Sequence, residues 1–468
     1  MKSIKITCIS GSLIPLLIGC KEHKMEQQLP VNVIYILADD LGYGDIGCYG
    51  QKLIKTPNID RMASEGMLFT QHYAGCTVSA PSRASLMTGL HTGHTQIRGN
   101  KEVVPEGQEP MRGDTHTLAK LFKSKDYTTG LFGKWGLGYP GSESEPNIMG
   151  FDEFYGYNCQ RQAHTYYPNH LWHNREKVEF PENKDNGRQT YSADLIHRQA
   201  LNFIRDNKDK PFFAMLTYTL PHAEVNLPHD SIYHIYENMF DETPYNKPGS
   251  YFRSEKPHAS FAAMVSRLDK YVGEIMDELK KQGLDKNTII FFTSDNGPHS
   301  EGGADPDFFN SNGPLKGTKR DLYEGGIRVP LIIWSPDFIK AGTKSNHISA
   351  FWDMMPTFAE LTETTLTEKT DGISFLPEIL SKSNQQKHDF LYWEFHEQNG
   401  RQAIRKGDWK LIRQGISSDK GSWLELYNIT EDIHEDNNLA EKEPDKIQEL
   451  ESLMNNARTE SPTFNFGK

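Results

Sequence analysis

Cysteine is scarce in this chain. Of its five cysteines only Cys48, Cys76 and Cys159 lie beyond residue 20, too few and too odd a number for a disulfide framework. Basic charge is short as well, with 51 Lys and Arg against 63 Asp and Glu and a formal net charge of -12. Phosphate backbones demand an excess of cations on at least one face, so no nucleic-acid partner is expected. An anionic substrate must then be met by a local basic cluster. No apolar run after the first residues is long enough to span a bilayer, and internal repeats and low-complexity tracts are missing.

What stands at the start is a targeting segment. Lys2 and Lys5 give a positive beginning, and Ile6 to Ile18 is apolar but short for a membrane span. It ends Leu17-Ile18-Gly19-Cys20, which resembles the bacterial lipobox, whose Cys is acylated and becomes the mature N-terminus. The resemblance implies a signal peptide over 1–19, a linker over 20–30 and an exported protein held to a membrane by a lipid on Cys20. An ordinary signal peptide with a chance Cys is the alternative. Lys21-Glu22-His23-Lys24 carries no acidic run for surface export, which favours the periplasm.

The body reads as α/β. Val31 to Leu37 is a nearly unbroken aliphatic run, expected as a buried parallel strand that delivers Asp39 and Asp40 at its C-terminal end. Open α/β sheets bind ligands there. Thr56-Pro57 starts a helix expected through about Leu68. Strands at Tyr127 to Phe132, Phe212 to Thr219 and Thr288 to Thr293 alternate with helices at Thr190 to Asp206 and Ser260 to Gln282, implying a mainly parallel sheet between helices. Tyr139 to Asn186 is irregular, aromatic and Gly-rich, the character of a functional insertion. The catalytic unit is read as 31–376. A smaller C-terminal α+β unit, 377–468, holds short antiparallel strands (Phe390 to Phe395, Gln402 to Ile404, Trp409 to Arg413) and a helix from Pro444 to Ala457.

The decisive stretch is Ser79-Ala80-Pro81-Ser82-Arg83-Ala84-Ser85-Leu86-Met87-Thr88-Gly89. Pro81 opens a helix, so Ser79 sits at its positive end, where an anion is favoured. A bare serine hydroxyl is a weak nucleophile without an adjacent base or metal. The stretch resembles the signature of type I sulfatases, in which a Cys or Ser followed by X-Pro-Ser-Arg is oxidised to formylglycine by a maturation enzyme. That resemblance implies an alkaline-phosphatase-like fold and a Ser-competent maturase as partner. Its hydrated aldehyde solves two problems, since one hydroxyl attacks sulfur and the other later expels sulfate. Read without the family, Ser79 could simply cap the helix. Cys76 is a decoy, because Val78 and Ala80 stand where Pro and Arg are required.

Asp39-Asp40 and Asp295-Asn296 each follow a buried strand and offer a hard, oxygen-only ligand set suited to Ca²⁺, with Mg²⁺ second. With Ser79 they resemble the sulfatase metal site, and either pair alone could be loop capping. Within the same resemblance, Arg83, Lys134 in Gly133-Lys134-Trp135, and Lys319 ahead of Lys316 take catalytic and sulfate-binding places. His222 in Leu220-Pro221-His222 takes that of the general acid. One position departs: Gly136 stands where the pattern often has a second His, the expected base for sulfate release, and His164 is the candidate replacement. Trp135, Tyr166, Tyr167 and Trp172 are expected to stack on a sugar ring, making a sulfated carbohydrate the expected substrate. A phosphoester hydrolase of the same superfamily and a non-catalytic glycan-binding lipoprotein are the competing readings.

Overall fold

The computed structural model describes residues 30–248 and 251–466; the leader and Cys20 lie outside the described residues. At its centre, Asn32–Asp39 is buried along its whole length. Alternate residues of a strand face opposite layers. Accordingly Ile34, Ile36 and Ala38 enter one apolar core, while Val33, Tyr35 and Leu37 enter another. The first core is closed by the helices Pro57–Glu65, Ser192–Asp206 and Pro257–Gln282. The second is closed by Ser79–Thr88, Leu118–Lys123 and Met354–Leu361. Helices thus cover both faces, as two-sided apolar strands require.

Five strands run parallel in the order Thr288–Ser294, Asn32–Asp39, Phe212–Pro221, Thr128–Lys134, Glu153–Tyr157. Antiparallel pairings follow on both sides of these five. Arg328–Trp334 joins Thr288–Ser294 to Met67–Tyr73, so the helix expected through Leu68 ends at Glu65 and gives way to a strand. On the far side the segment expected to be irregular supplies Glu153–Tyr157 and the hairpin His170–His173 with Glu176–Glu179.

The C-terminal part is a four-stranded antiparallel sheet of Leu391–Phe395, Arg401–Lys406, Trp409–Gln414 and Trp423–Asn428, the last unforeseen in the sequence. Tyr392, Ile404, Leu411 and Leu426 face the helix Pro444–Asn456 through Leu450 and Met454. Trp393, Ala403 and Ile412 face the other way, onto Cys76, Val78, Leu322 and Ile327, which flank Ser79 and Lys319. Beneath that contact the fully buried Lys410 pairs with Glu324 at 2.9 Å and Glu435 at 3.0 Å. Glu324 also pairs with Arg328 at 3.2 Å, so removing the lysine would leave Glu435 as the carboxylate without a cation, and this bridge ties the small sheet to the turn at Glu324.

Candidate active site

The parallel strands all end on one side, and the chemistry collects there. Asp39 is the last residue of its strand, and Asp40 turns sharply with φ of +62°, a left-handed conformation that an aspartate tolerates better than most residues. Asp295 and Asn296 leave the neighbouring parallel strand at the same level, and the Asp40 amide donates to Asp295 Oδ1 at 3.1 Å. Gly297 and Gly325 cross so closely that a Cβ on Gly297 would lie 1.8 Å from the Gly325 carbonyl oxygen. Only glycine lets the Asp295-Asn296 loop nest against the Glu324-Gly325-Gly326 turn.

Ser79 begins the helix Ser79–Thr88, with Val78 as its N-cap. Its hydroxyl is not spent on capping. It donates instead to Asp39 Oδ1 at 3.1 Å and accepts from Lys134 Nζ at 3.3 Å. Lys134, the last residue of its strand, also donates to Asp39 Oδ2 at 2.5 Å. Arg83, one helical turn on, reaches Asp295 Oδ2 with Nε at 3.0 Å and Nη2 at 2.9 Å, and gives Nη1 to the Lys134 carbonyl at 2.7 Å. That guanidinium ties three segments together and faces the carboxylates, not open solvent.

Lys319 Nζ donates to Asp40 Oδ2 at 2.8 Å, to His222 Nε2 at 3.2 Å and to Glu301 Oε2 at 3.2 Å. His222 Nδ1 donates to the Ala223 carbonyl, leaving Nε2 as an acceptor. Burial, and next Lys319, hold the His222 pKa well below the ordinary histidine value. His164 stacks on His222 with centroids 5.0 Å apart, and burial together with Lys134 and Lys319 brings its pKa down to about 4. Burial would raise the Asp39 carboxyl, but Lys134, His222 and Arg83 outweigh it and keep it ionised. Lys319 shows the same contest, with Asp40 and Glu301 overcoming burial to raise its pKa.

Of the ligands expected for a divalent cation, Asp39 and Asp40 bring carboxylate oxygens within 4.8 Å of each other and of a His222 ring nitrogen. Asn296 Nδ2 donates to Asp40 Oδ1 at 2.7 Å, while its Oδ1 is buried without a hydrogen-bond partner. An orphaned carbonyl oxygen among three fully buried carboxylates is what a hard cation satisfies, so these residues fit Ca²⁺ or Mg²⁺.

A cavity of 390 Å³ opens over this centre, lined by Ser79, His164, His222 and Lys319 together with Asn100, Gln160, Tyr251 and Arg320. The last four were not singled out from sequence, nor was Glu301. Glu301 could have been found, since it follows Asp295-Asn296 in one loop, and so could Arg320, the residue after Lys319; Asn100, Gln160 and Tyr251 come from separate loops with no shared motif. The expected sugar-stacking aromatics fare differently. Trp135 is buried and gives its indole N–H to the Ser144 carbonyl at 2.8 Å. Tyr166 is fully buried, its hydroxyl donating to the carbonyls of Thr219 at 2.6 Å and His222 at 3.0 Å. Neither ring can meet a ligand; both brace loops, Tyr166 the one carrying His222. Trp172, on the strand next to the sheet edge, donates to Glu106 at 2.6 Å and does not line the cavity. Tyr167 lines a separate polar hollow of 270 Å³ with Thr165, Arg188, Glu224 and Phe252.

Comparison with known proteins agrees with this geometry. Residues 31–364 match the family model described as Sulfatase, and residues 317–460 match that described as N-sulphoglucosamine sulphohydrolase, C-terminal. N-acetylgalactosamine-6-sulfatase of Rattus norvegicus is 32% identical over 422 residues, 83% of this chain and 74% of that protein. N-acetylgalactosamine-6-O-sulfatase of Bacteroides thetaiotaomicron is 28% identical over 527 residues, 95% of this chain and 97% of the relative. The crystal structure of Ps i-CgsB in complex with k-i-k-neocarrahexaose superposes with a TM-score of 0.77 at 30% identity, covering 93% of this chain and 95% of that one. The architecture is the alkaline-phosphatase-like one, with a mainly parallel sheet between helices and an antiparallel sheet plus helix after it. On these matches the chain is a sulfuric ester hydrolase and belongs to the sulfatase family.

Proposed function

We propose that this sulfatase removes sulfate from a glycan, using Ser79 oxidised to formylglycine by a Ser-competent maturase and Ca²⁺ held by Asp39, Asp40, Asp295 and Asn296. The observation that carries the reading is the Ser79 hydroxyl itself, which contacts Asp39 and Lys134 and lines a cavity instead of capping its helix. The cation would polarise the sulfate while the modified side chain supplies an activated hydroxyl and, afterwards, a means of release. Asp39 accepts from that hydroxyl and orients it; Lys134 and Lys319 hold sulfate oxygens and offset the charge that grows on them. Arg83 keeps Asp295 and the Lys134 backbone in register. His222 Nε2, facing the cavity, delivers the proton to the departing alcohol, and the anionic ester offsets the two lysines that oppose its protonation. His164, stacked on it, is the candidate base for release in place of the histidine absent at position 136.

A glycan is favoured by two features. The relatives named above act on or hold carbohydrates by their names, and a second polar hollow adjoins the catalytic cavity through the successive residues His164-Thr165 and Tyr251-Phe252. With the Leu17-Ile18-Gly19-Cys20 leader, we place the enzyme in the periplasm on a lipid anchor. The test is turnover by protein with oxidised residue 79 on paired aryl sulfate and aryl phosphate esters, followed by sulfate release from a panel of sulfated oligosaccharides. Preference for the aryl phosphate would overturn the sulfatase chemistry; sulfate release from aryl esters alone would overturn the glycan.

A further inference from the structure

Gly136 stands where a second histidine was expected, and the structure shows what fills that place. Its φ is +74°, and a Cβ built on it would lie 2.3 Å from Nε2 of Gln160. Gln160 follows the strand Glu153–Tyr157, which runs parallel beside Thr128–Lys134, and the Gly136 amide donates to the Asn158 carbonyl at 3.0 Å. The two loops leave the sheet side by side, so the missing side chain at one is replaced in space by a carboxamide from the other.

Gln160 is only 8% exposed, and its Nε2 has no hydrogen-bond partner. It also lines the cavity that holds Ser79, His164, His222 and Lys319. Leaving a buried amide unpaired is costly, so a fold that keeps one here is expected to satisfy it with a ligand. The acceptors brought to this cavity by the proposed reaction are sulfate oxygens. A carboxamide neither takes nor gives a proton at neutral pH, so it cannot inherit the work of a base.

We infer that the Gln160 side-chain amide is a direct hydrogen-bond donor to the sulfate group of the bound ester, occupying the space that Gly136 vacates. This rests on the sulfatase reading and names a substrate contact within it. Gly136 is then required for the contact: any side chain there would push the carboxamide aside.

The test uses the full chain with Ser79 unoxidised, titrated calorimetrically with inorganic sulfate, beside the oxidised enzyme assayed on an aryl sulfate. Gln160→Ala is expected to weaken sulfate binding and lower kcat/KM by roughly tenfold each, as loss of a hydrogen bond to an anion implies. Gln160→Met, which keeps the volume without the donor, should match it if the alanine variant folds poorly, and Gln160→Glu should lose more through repulsion. The pH profile of kcat should hold its shape in all three, because no proton is handled. Parent-like sulfate binding and turnover in Gln160→Met and Gln160→Glu would overturn the inference. If Lys134→Ala loses sulfate while the Gln160 variants keep it, the inference fails and the sulfatase reading survives. A parent enzyme that prefers aryl phosphate would remove that reading whatever Gln160 does, and the inference with it.

Discussion

Lys319 Nζ donates to His222 Nε2 across 3.2 Å, and His222 Nδ1 donates to the Ala223 carbonyl, so a single cation and a single carbonyl fix both the tautomer and the direction of this imidazole. A proton delivered from Nε2 matters most when the leaving alcohol is a poor one. His222→Ala is expected to lower kcat on an alkyl sulfate by roughly 10²–10⁴-fold and on a nitrophenyl sulfate by far less. Steady-state rates across leaving groups of graded acidity would show this as a steeper slope, and an unchanged slope would remove His222 from the role.

Loss of the divalent cation should abolish activity while leaving the fold in place. Asn296 Oδ1 is buried without a partner, its Nδ2 donates to Asp40 Oδ1, and Asp39, Asp40 and Asp295 are fully buried. Chelation of the oxidised enzyme, then readdition of Ca²⁺ or Mg²⁺, should erase and restore turnover, with Ca²⁺ the more effective. Asn296→Ala should raise the Ca²⁺ concentration needed for half activity by roughly 10-fold or more, the usual cost of a disturbed ligand set. Activity indifferent to chelation would exclude the cage as a metal site.

Arg188 has a different part. Its guanidinium lies 3.8 Å over the Phe252 ring and 5.5 Å from the Tyr167 ring centre, at the polar hollow beside the catalytic cavity. Held by rings, it can meet an anionic or hydroxyl-rich unit next to the one being desulfated. Arg188→Ala should raise KM for a sulfated oligosaccharide several-fold with kcat little changed, and leave an aryl sulfate unaffected. Equal effects on both substrates would place Arg188 outside substrate binding.

Much of the centre was legible in the sequence because strand-end carboxylates and a long helix-opening motif carry their own geometry. Asp39, Asp40, Ser79, Arg83, Asp295, Lys134, Lys319 and His222 do meet around one cavity or its floor. The aromatic assignments failed for Trp135 and Tyr166 because closeness in sequence to a site residue says nothing of ring direction; both rings turn inward to find carbonyl acceptors. The strand Arg328–Trp334 was missed where Pro330 interrupts its run, and the ladder shifts register there, between Val329 and Leu331. Gln160 could not be foreseen at all. Its place is set by the order of strands in the sheet, which no local pattern records.

Glu394 gives the C-terminal sheet an acid-sensitive anchor. Burial opposes its ionisation, yet His396 at 2.9 Å, Arg458 at 2.7 Å and Arg98 at 3.0 Å hold its pKa at about 2 against a usual 4.5. A folded pKa below the unfolded one stabilises fully above pH 4.5, and that stability is lost as pH falls toward 2. The shift corresponds to roughly 3 kcal/mol at neutral pH. Glu394→Gln should therefore lower stability near neutrality and flatten the acid limb of a urea-denaturation series between pH 5 and pH 2, which an equally steep limb would contradict.

The oxidation of Ser79 is open to direct measurement. Protein made with graded amounts of a Ser-competent maturase can be digested, and the peptide spanning Ser79 weighed for the loss of two hydrogens. Aryl sulfatase activity should rise in proportion to the oxidised fraction and vanish in Ser79→Ala. Full activity in protein whose residue 79 is wholly unmodified serine would contradict the account at its root.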